Sequence, residues 1–159
     1  MSVLHARSLF VGLVATITMD LLSVTALKLR FIAFLPPRIT GRWFGLMAQG
    51  RFVHSDIAQA SPIGHEMAIG VPMHYAIGTT LGIVYLLVTS VLGLSHRSLT
   101  TALGFGLCTN LLPWLLMFPA MGYGWFGMHG PPGTRLLLSS TVTHCFFGIG
   151  LWLGASILS

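Results

Sequence analysis

Four stretches of this chain run apolar almost without interruption: about Leu9 to Leu29, Ala68 to Leu92, Leu99 to Pro119 and Leu136 to Leu158. A helix needs roughly 20 such residues to cross a bilayer. The runs are continuous and show no period-two alternation, so they predict helices rather than barrel strands. The expected fold is all-α, an integral membrane four-helix bundle. One domain over residues 1–159 is expected, with no internal repeat.

The main hydrophilic region falls between the first two spans, from about Pro36 to Glu66. Pro36–Pro37 is expected to stop the first helix or its extension. Beyond it, Trp43, Phe44, Leu46, Met47, Phe52 and Val53 mix with Arg42, Gln49 and Arg51. This mixture predicts a short interfacial helix with its aromatic side chains at headgroup depth. Ser61–Pro62–Ile63–Gly64 reads as a turn before the second span. Ser95–His96–Arg97–Ser98 makes a tight second link. The third link, Met121 to Gly133, holds Gly122, Gly124, Gly127, Gly130, Pro131, Pro132 and Gly133 and must be irregular. It is either a surface turn or a segment folded back over the mouth of the bundle.

Composition agrees with a membrane chain. Of 159 residues, 54% are hydrophobic and 7% charged, and the mean hydropathy is +0.84. A soluble domain would carry about 25% charged residues. The net charge of +5 comes mostly from basic residues flanking apolar runs. Anionic lipid headgroups and the bilayer are therefore the expected partners, along with further copies of the chain or partner helices. No basic helix or phosphate-binding loop supports a nucleic-acid partner. Cys108 and Cys145 lie inside apolar runs without CxxC spacing and read as small core residues. The first run contains Asp20 and ends in Lys28–Leu29–Arg30 without a small-residue cleavage site, so it reads as a retained span. Lys28, Arg30, Arg38, Arg42, Arg51 and Arg135 lie on one side of the spans, Arg7 and Arg97 on the other. The positive-inside rule then predicts an inner-membrane protein with its long loop in the cytoplasm and both termini outside.

The polar residues within the spans suggest a site. Asp20, His144 and Asn110 each lie about nine residues from the same side, and His74 about six. A polar group facing lipid costs a few kcal/mol or more, so a shared interior pocket is the simplest arrangement. Asp20 can ligate a metal, accept a proton, or anchor a histidine, with Thr16, Thr18 and Ser23 as local hydroxyl donors. His74 shares a face with Gly78, Gly82 and Tyr85, and His144 with Gly148, Leu151 and Ala155. Small residues on such faces let helices pack closely. Two imidazoles and Asp20 make a three-ligand set with an open position for a divalent metal such as zinc. A haem held by the two histidines is a weaker alternative. Buried histidines donating to carbonyls are the structural alternative. His54, Asp56, His65, Glu66 and His129 fall near the mouth of this pocket, where Arg42 and Arg51 can bind a lipid phosphate or an anionic substrate head. Asn110, His54, Arg42 and Arg51 complete the candidate binding set. Pro113 predicts a kink three residues after Asn110.

Several segments together resemble a known family. They are Val14–Ala15–Thr16–Ile17–Thr18–Met19–Asp20, Gly41–Arg42, Gly50–Arg51–Phe52–Val53–His54 and His74–Tyr75–Ala76–Ile77–Gly78. They continue with Pro113–Trp114 through Pro119, Met121 and Gly122, then Ser140–Thr141–Val142–Thr143–His144 and Phe147–Gly148–Ile149–Gly150. Over nearly its whole length the chain resembles the small bacterial membrane proteins grouped as domain of unknown function 2938. The resemblance implies a multi-helix inner-membrane protein and brings no activity or cofactor with it. That family often carries glutamine before the proline matching Pro119; here the residue is Phe118, which weakens a polar role at that end of the third span.

Three classes of function fit the residues. The first is a small membrane enzyme or cofactor-binding protein using Asp20, His74 and His144 on a lipid-soluble substrate. The second is an oligomeric proton-coupled transporter. The third is a structural or accessory subunit whose polar centre locks the helices together.

Overall fold

The structure is a computed structural model that describes residues 3–33, 35–131 and 133–158. Pro132 of the third link lies outside the described residues. Those residues form helices α1 (Val3–Lys28), α2 (Pro37–Met47), α3 (Glu66–Val91), α4 (Leu99–Thr109), α5 (Phe118–Ala120) and α6 (Thr134–Ile157), and no strand. Four stretches are long and apolar enough to cross a membrane: Ala6–Lys28, Glu66–Val91, Leu99–Ala120 and Thr134–Ile157.

Local chemistry sets the boundaries. The tandem prolines do not end the first helix, as expected from sequence; they begin the next one. α1 stops at Lys28, and Arg30 turns left-handed at φ 58°. Pro36 is the extended residue before α2, and Pro37 opens the helix. A proline costs little there, because that amide has no partner within the helix. α2 supplies the short helix expected between the first two spans. It turns Ile39, Gly41, Arg42 and Leu46 inward. At Pro113 the third span widens: Pro113–Met117 forms a π turn in which the Phe118 N–H donates to the Pro113 carbonyl.

Glycines set the packing. α1 packs on both α3 and α6, α4 packs on α6, and α2 packs on α3. A methyl group on Gly78 would strike Thr16 Oγ1, and one on Gly82 would strike Gly12. Moving four residues along α1 therefore matches four residues back along α3. The α4–α6 pair has the same antiparallel register, with Gly106 against the His144 carbonyl and Gly148 against that of Ala102. α1 meets α6 where Gly150 approaches Ala15 and Gly154 approaches Val11. Backbones this close gain dispersion contact that a larger side chain would prevent.

Two apolar cores result. One joins Val11, Ala15, Tyr85, Ala102, Phe147 and Leu151 among the spans. Here α3 and α4 meet through Tyr85 and Phe105, whose rings are 5.2 Å apart. The other core gathers Ile39, Leu46, Ile57, Phe118, Met121 and Tyr123. It makes a cap from the loop after α1 and the link before α6. The His54 N–H donates to the Ala120 carbonyl at 2.8 Å and the Ile57 N–H to that of Met121 at 2.9 Å. Gly122, at φ 85°, rests against the Ser55 carbonyl, where a side chain would collide. The glycine-rich link is thus not a free surface turn; it is built into the cap.

Candidate functional site

The α1–α3 register determines which polar side chains meet. Asp20 lies one turn beyond Thr16, and His74 one turn before Gly78, so continuing the register brings them together. The His74 Nε2 is 2.9 Å from Asp20 Oδ1. The Tyr75 hydroxyl donates to Asp20 Oδ2 at 2.9 Å. Both carboxylate oxygens thus accept from α3. The His74 and Tyr75 rings meet edge to face, 5.5 Å between centroids. His74 Nδ1 makes no hydrogen bond to the described residues. The pair is half-open: 40% of the Asp20 side chain and 38% of the His74 side chain remain exposed.

The α4–α6 register makes a second set of polar contacts. One turn beyond Gly106, Asn110 lies opposite Ser140, whose hydroxyl donates to Asn110 Oδ1 at 2.7 Å. His144 Nδ1 is 2.7 Å from Thr109 Oγ1, which also donates to the Gly106 carbonyl at 2.6 Å. Asn110 is fully buried, and its Nδ2 has no partner among the described residues; the same holds for Trp114 Nε1 and Ser23 Oγ.

The candidate residues therefore divide. Asp20 and His74 come together, and His144 is bonded to Thr109 instead. The three-ligand metal set is not assembled: among the described residues no three His, Cys, Asp or Glu side chains converge. The physical reason is the register, which aims His144 at Thr109 on α4 rather than at Asp20. A haem clamp would require the His74 Nε2 to leave Asp20. The expected hydroxyl donors to Asp20 are also replaced, since the Thr16 hydroxyl turns back to the Gly12 carbonyl at 2.8 Å.

A family model described as a protein of unknown function, DUF2938, matches residues 9–158. The chain belongs to DUF2938. DUF2938 proteins are small multi-helix proteins found in bacteria. No curated protein and no solved structure matches this one.

In this DUF2938 protein the segment Gly41–Arg42 has a structural setting. Gly41 lets α2 touch α3 at the Glu66 carbonyl. The Arg42 Nε then donates to Glu66 Oε1 at 2.6 Å, and Nη2 to Oε2 at 3.3 Å. The Arg42 Nη1 donates to the carbonyls of Ile57, Ala58 and Ala60 at 3.3, 3.1 and 2.8 Å. Arg42, expected at the mouth of the site, is instead a buried clamp holding the cap to α3, and its donors are committed. Glu66 stands eight residues before His74, about 12 Å along α3. Arg51 and His54 lie on the cap surface, with the His54 ring 3.2 Å from the Arg51 carbonyl. Phe118 is buried in the cap core. Sequence reasoning missed Tyr75, Thr109 and Ser140 as partners. The four-residue glycine register was the signal that could have found Ser140. Tyr75 had none beyond standing next to His74.

Proposed function

We propose that this DUF2938 protein is a multi-pass inner-membrane protein that handles a proton at Asp20 and His74 for a lipid-soluble substrate entering sideways from the bilayer. One observation carries this reading: a carboxylate–imidazole pair lies within the apolar spans yet is about two-fifths exposed. An ionisable group in a span is costly unless paired or used. This one is paired and also accessible. Asp20, bonded to Nε2, orients the imidazole and leaves Nδ1 as the atom that gives or takes the proton. Tyr75 holds the second carboxylate oxygen and so keeps Asp20 aimed at His74.

The one-sided layout favours this reading over a proton-coupled transporter. Tyr85 packs on Phe105 and donates its hydroxyl to the His96 carbonyl at 2.7 Å, tying α3 to α4 at the end away from the cap. The basic residues at the cap end support a cytoplasmic cap and outer termini.

The test is a comparison of wild-type protein with Asp20→Asn and His74→Ala, purified in mild detergent from native membranes. Their organic extracts are compared by mass spectrometry, with circular dichroism confirming helical content. A lipid-soluble compound enriched in the wild type and depleted in both folded variants is the expected outcome. Identical extracts from all three proteins would reject the reading and leave the pair as a helix–helix anchor.

A further inference from the structure

The cap carries a surface that the Asp20–His74 site does not use. Around a recess of about 300 Å³ lie Arg51, His54, Ser55, Asp56 and Gln59. The Arg51 guanidinium makes no hydrogen bond or ion pair with the described residues. Asp56, the acid in this recess, is already engaged: its oxygens accept the Ala58 N–H and the Gln59 amide, each at 2.9 Å. Next to Arg51, Phe52 and Val53 are 56% and 75% exposed. The neighbouring loop exposes Trp125, Phe126 and Met128.

These exposed groups are not the result of a loose loop. Trp43 Nε1 donates to the Phe52 carbonyl at 3.0 Å. The His54 N–H is fixed to Ala120, the last residue of the third span. The 51–54 segment is therefore held rigidly, one hydrogen bond from a span end, at headgroup level for a helix that crosses the bilayer. A fixed guanidinium beside outward apolar side chains has the chemistry of an interfacial contact: the apolar tips enter the acyl boundary and the cation meets phosphate. The charge balance points the same way. Lys28, Arg30, Arg38, Arg51 and Arg135 all belong to this end of the chain's spans, whereas Glu66 is used by Arg42.

We propose that the Arg51 recess binds the phosphate of an anionic phospholipid and, with Phe52 and Val53 inserted beside it, docks the cap onto the headgroup layer. This site stands independently of the proton-handling reading. An acidic helix of a protein partner would offer similar charge, but the bonded span end favours lipid.

The test uses the full chain in detergent, titrated with phosphatidylglycerol and read by native mass spectrometry. Phosphatidylcholine and inorganic phosphate are the comparison ligands. Arg51→Gln should weaken phosphatidylglycerol binding about tenfold, matching the loss of a charge-assisted contact. Arg97→Gln, at the opposite end, should leave it unchanged, and Asp56→Asn should strengthen it. Since Arg51 and Arg97 are exposed, Arg51→Gln and Arg97→Gln should keep the wild-type melting temperature. The proposal is overturned if Arg51→Gln binds as the wild type does, or if Arg97→Gln loses as much. Displacement of the lipid by millimolar inorganic phosphate would also overturn it, by showing a free-phosphate site. So would a cap that binds phosphatidylcholine equally well.

Discussion

Replacing Gly82 with alanine tests whether helix register builds the site. The new methyl group would strike Gly12 Cα and lie 2.5 Å from Gly12 N, with the Ser8 carbonyl oxygen 3.3 Å away. All are backbone atoms of α1, so no rotamer change relieves the clash. Carbon atoms rest about 3.5–4.0 Å apart, so α1 must retreat from α3 by roughly 1 Å or more. Alanine gains about 1 kcal/mol over glycine within a helix. Overpacking costs about 1–3 kcal/mol, so the net expectation is a loss of up to about 2 kcal/mol. The larger consequence lies two turns away. A rigid retreat of that size stretches the 2.9 Å contact between Asp20 and His74 to roughly 4 Å, past hydrogen-bonding range. Selective ¹⁵N-histidine NMR in micelles should show His74 losing its bonded Nε2 signature, alongside earlier unfolding in an SDS titration. Gly104→Ala is the control, because a methyl group there meets nothing within 4 Å. An unchanged His74 spectrum in folded Gly82→Ala would refute the idea that the register holds the pair.

Two other perturbations address the cap. Arg42→Gln leaves Glu66 with its oxygens facing a buried clamp that no longer carries charge, at a cost of about 3–5 kcal/mol. Amide hydrogen exchange should then accelerate at His54 and Ile57 while the amides of α1 and α6 stay protected, and unchanged protection in the cap would count against the clamp. Tyr123 gives a pH dependence. Burial, then the nearby Asp56 charge, raise its phenol above the ordinary value of 10.0, with Arg42 opposing. A raised folded value means the folded cap holds the proton longer than the unfolded chain does. Its contribution is full below pH 10 and is lost as pH rises through the folded value. Thermal melts from pH 9 upward should therefore show the cap weakening in wild type and less so in Tyr123→Phe, and equal slopes would contradict the assignment.

The spans were readable from the sequence because lipid exposure removes ambiguity from hydropathy. A run such as Ala68 to Leu92, apolar on every face, has no soluble reading. Boundaries were less readable. α3 begins at Glu66, an acid that hydropathy excludes, because that acid is neutralised by an arginine from a distant segment. Arg42 is the instructive error. An arginine in a short interfacial helix looks solvent-facing or lipid-binding, and nothing local shows that three carbonyls and a carboxylate will surround it. The polar centre was half-readable. Depth along each span grouped Asp20, His74, His144 and Asn110, but depth carries no azimuth. Azimuth came from where glycine allows backbones to touch, which paired Asp20 with His74 and sent His144 to Thr109.

The two helix pairs share a construction and differ in what they leave over. In α4–α6, the Asn110 carbonyl oxygen and the His144 Nδ1 are each met by a hydroxyl, and the contacts are buried or nearly so. Hydroxyl partners carry no charge, so that pair suits a lock between helices. In α1–α3, the partners are a carboxylate and an imidazole, and the contact is left open. If packing alone were required, a hydroxyl opposite His74 would serve at less desolvation cost, as Thr109 does for His144. Placing an acid in the interior of a span at the open pair, with a second donor from Tyr75 fixing its aim, costs more than a lock needs. That excess is the physical reason for assigning the chemistry to Asp20 and His74 rather than to His144 and Asn110.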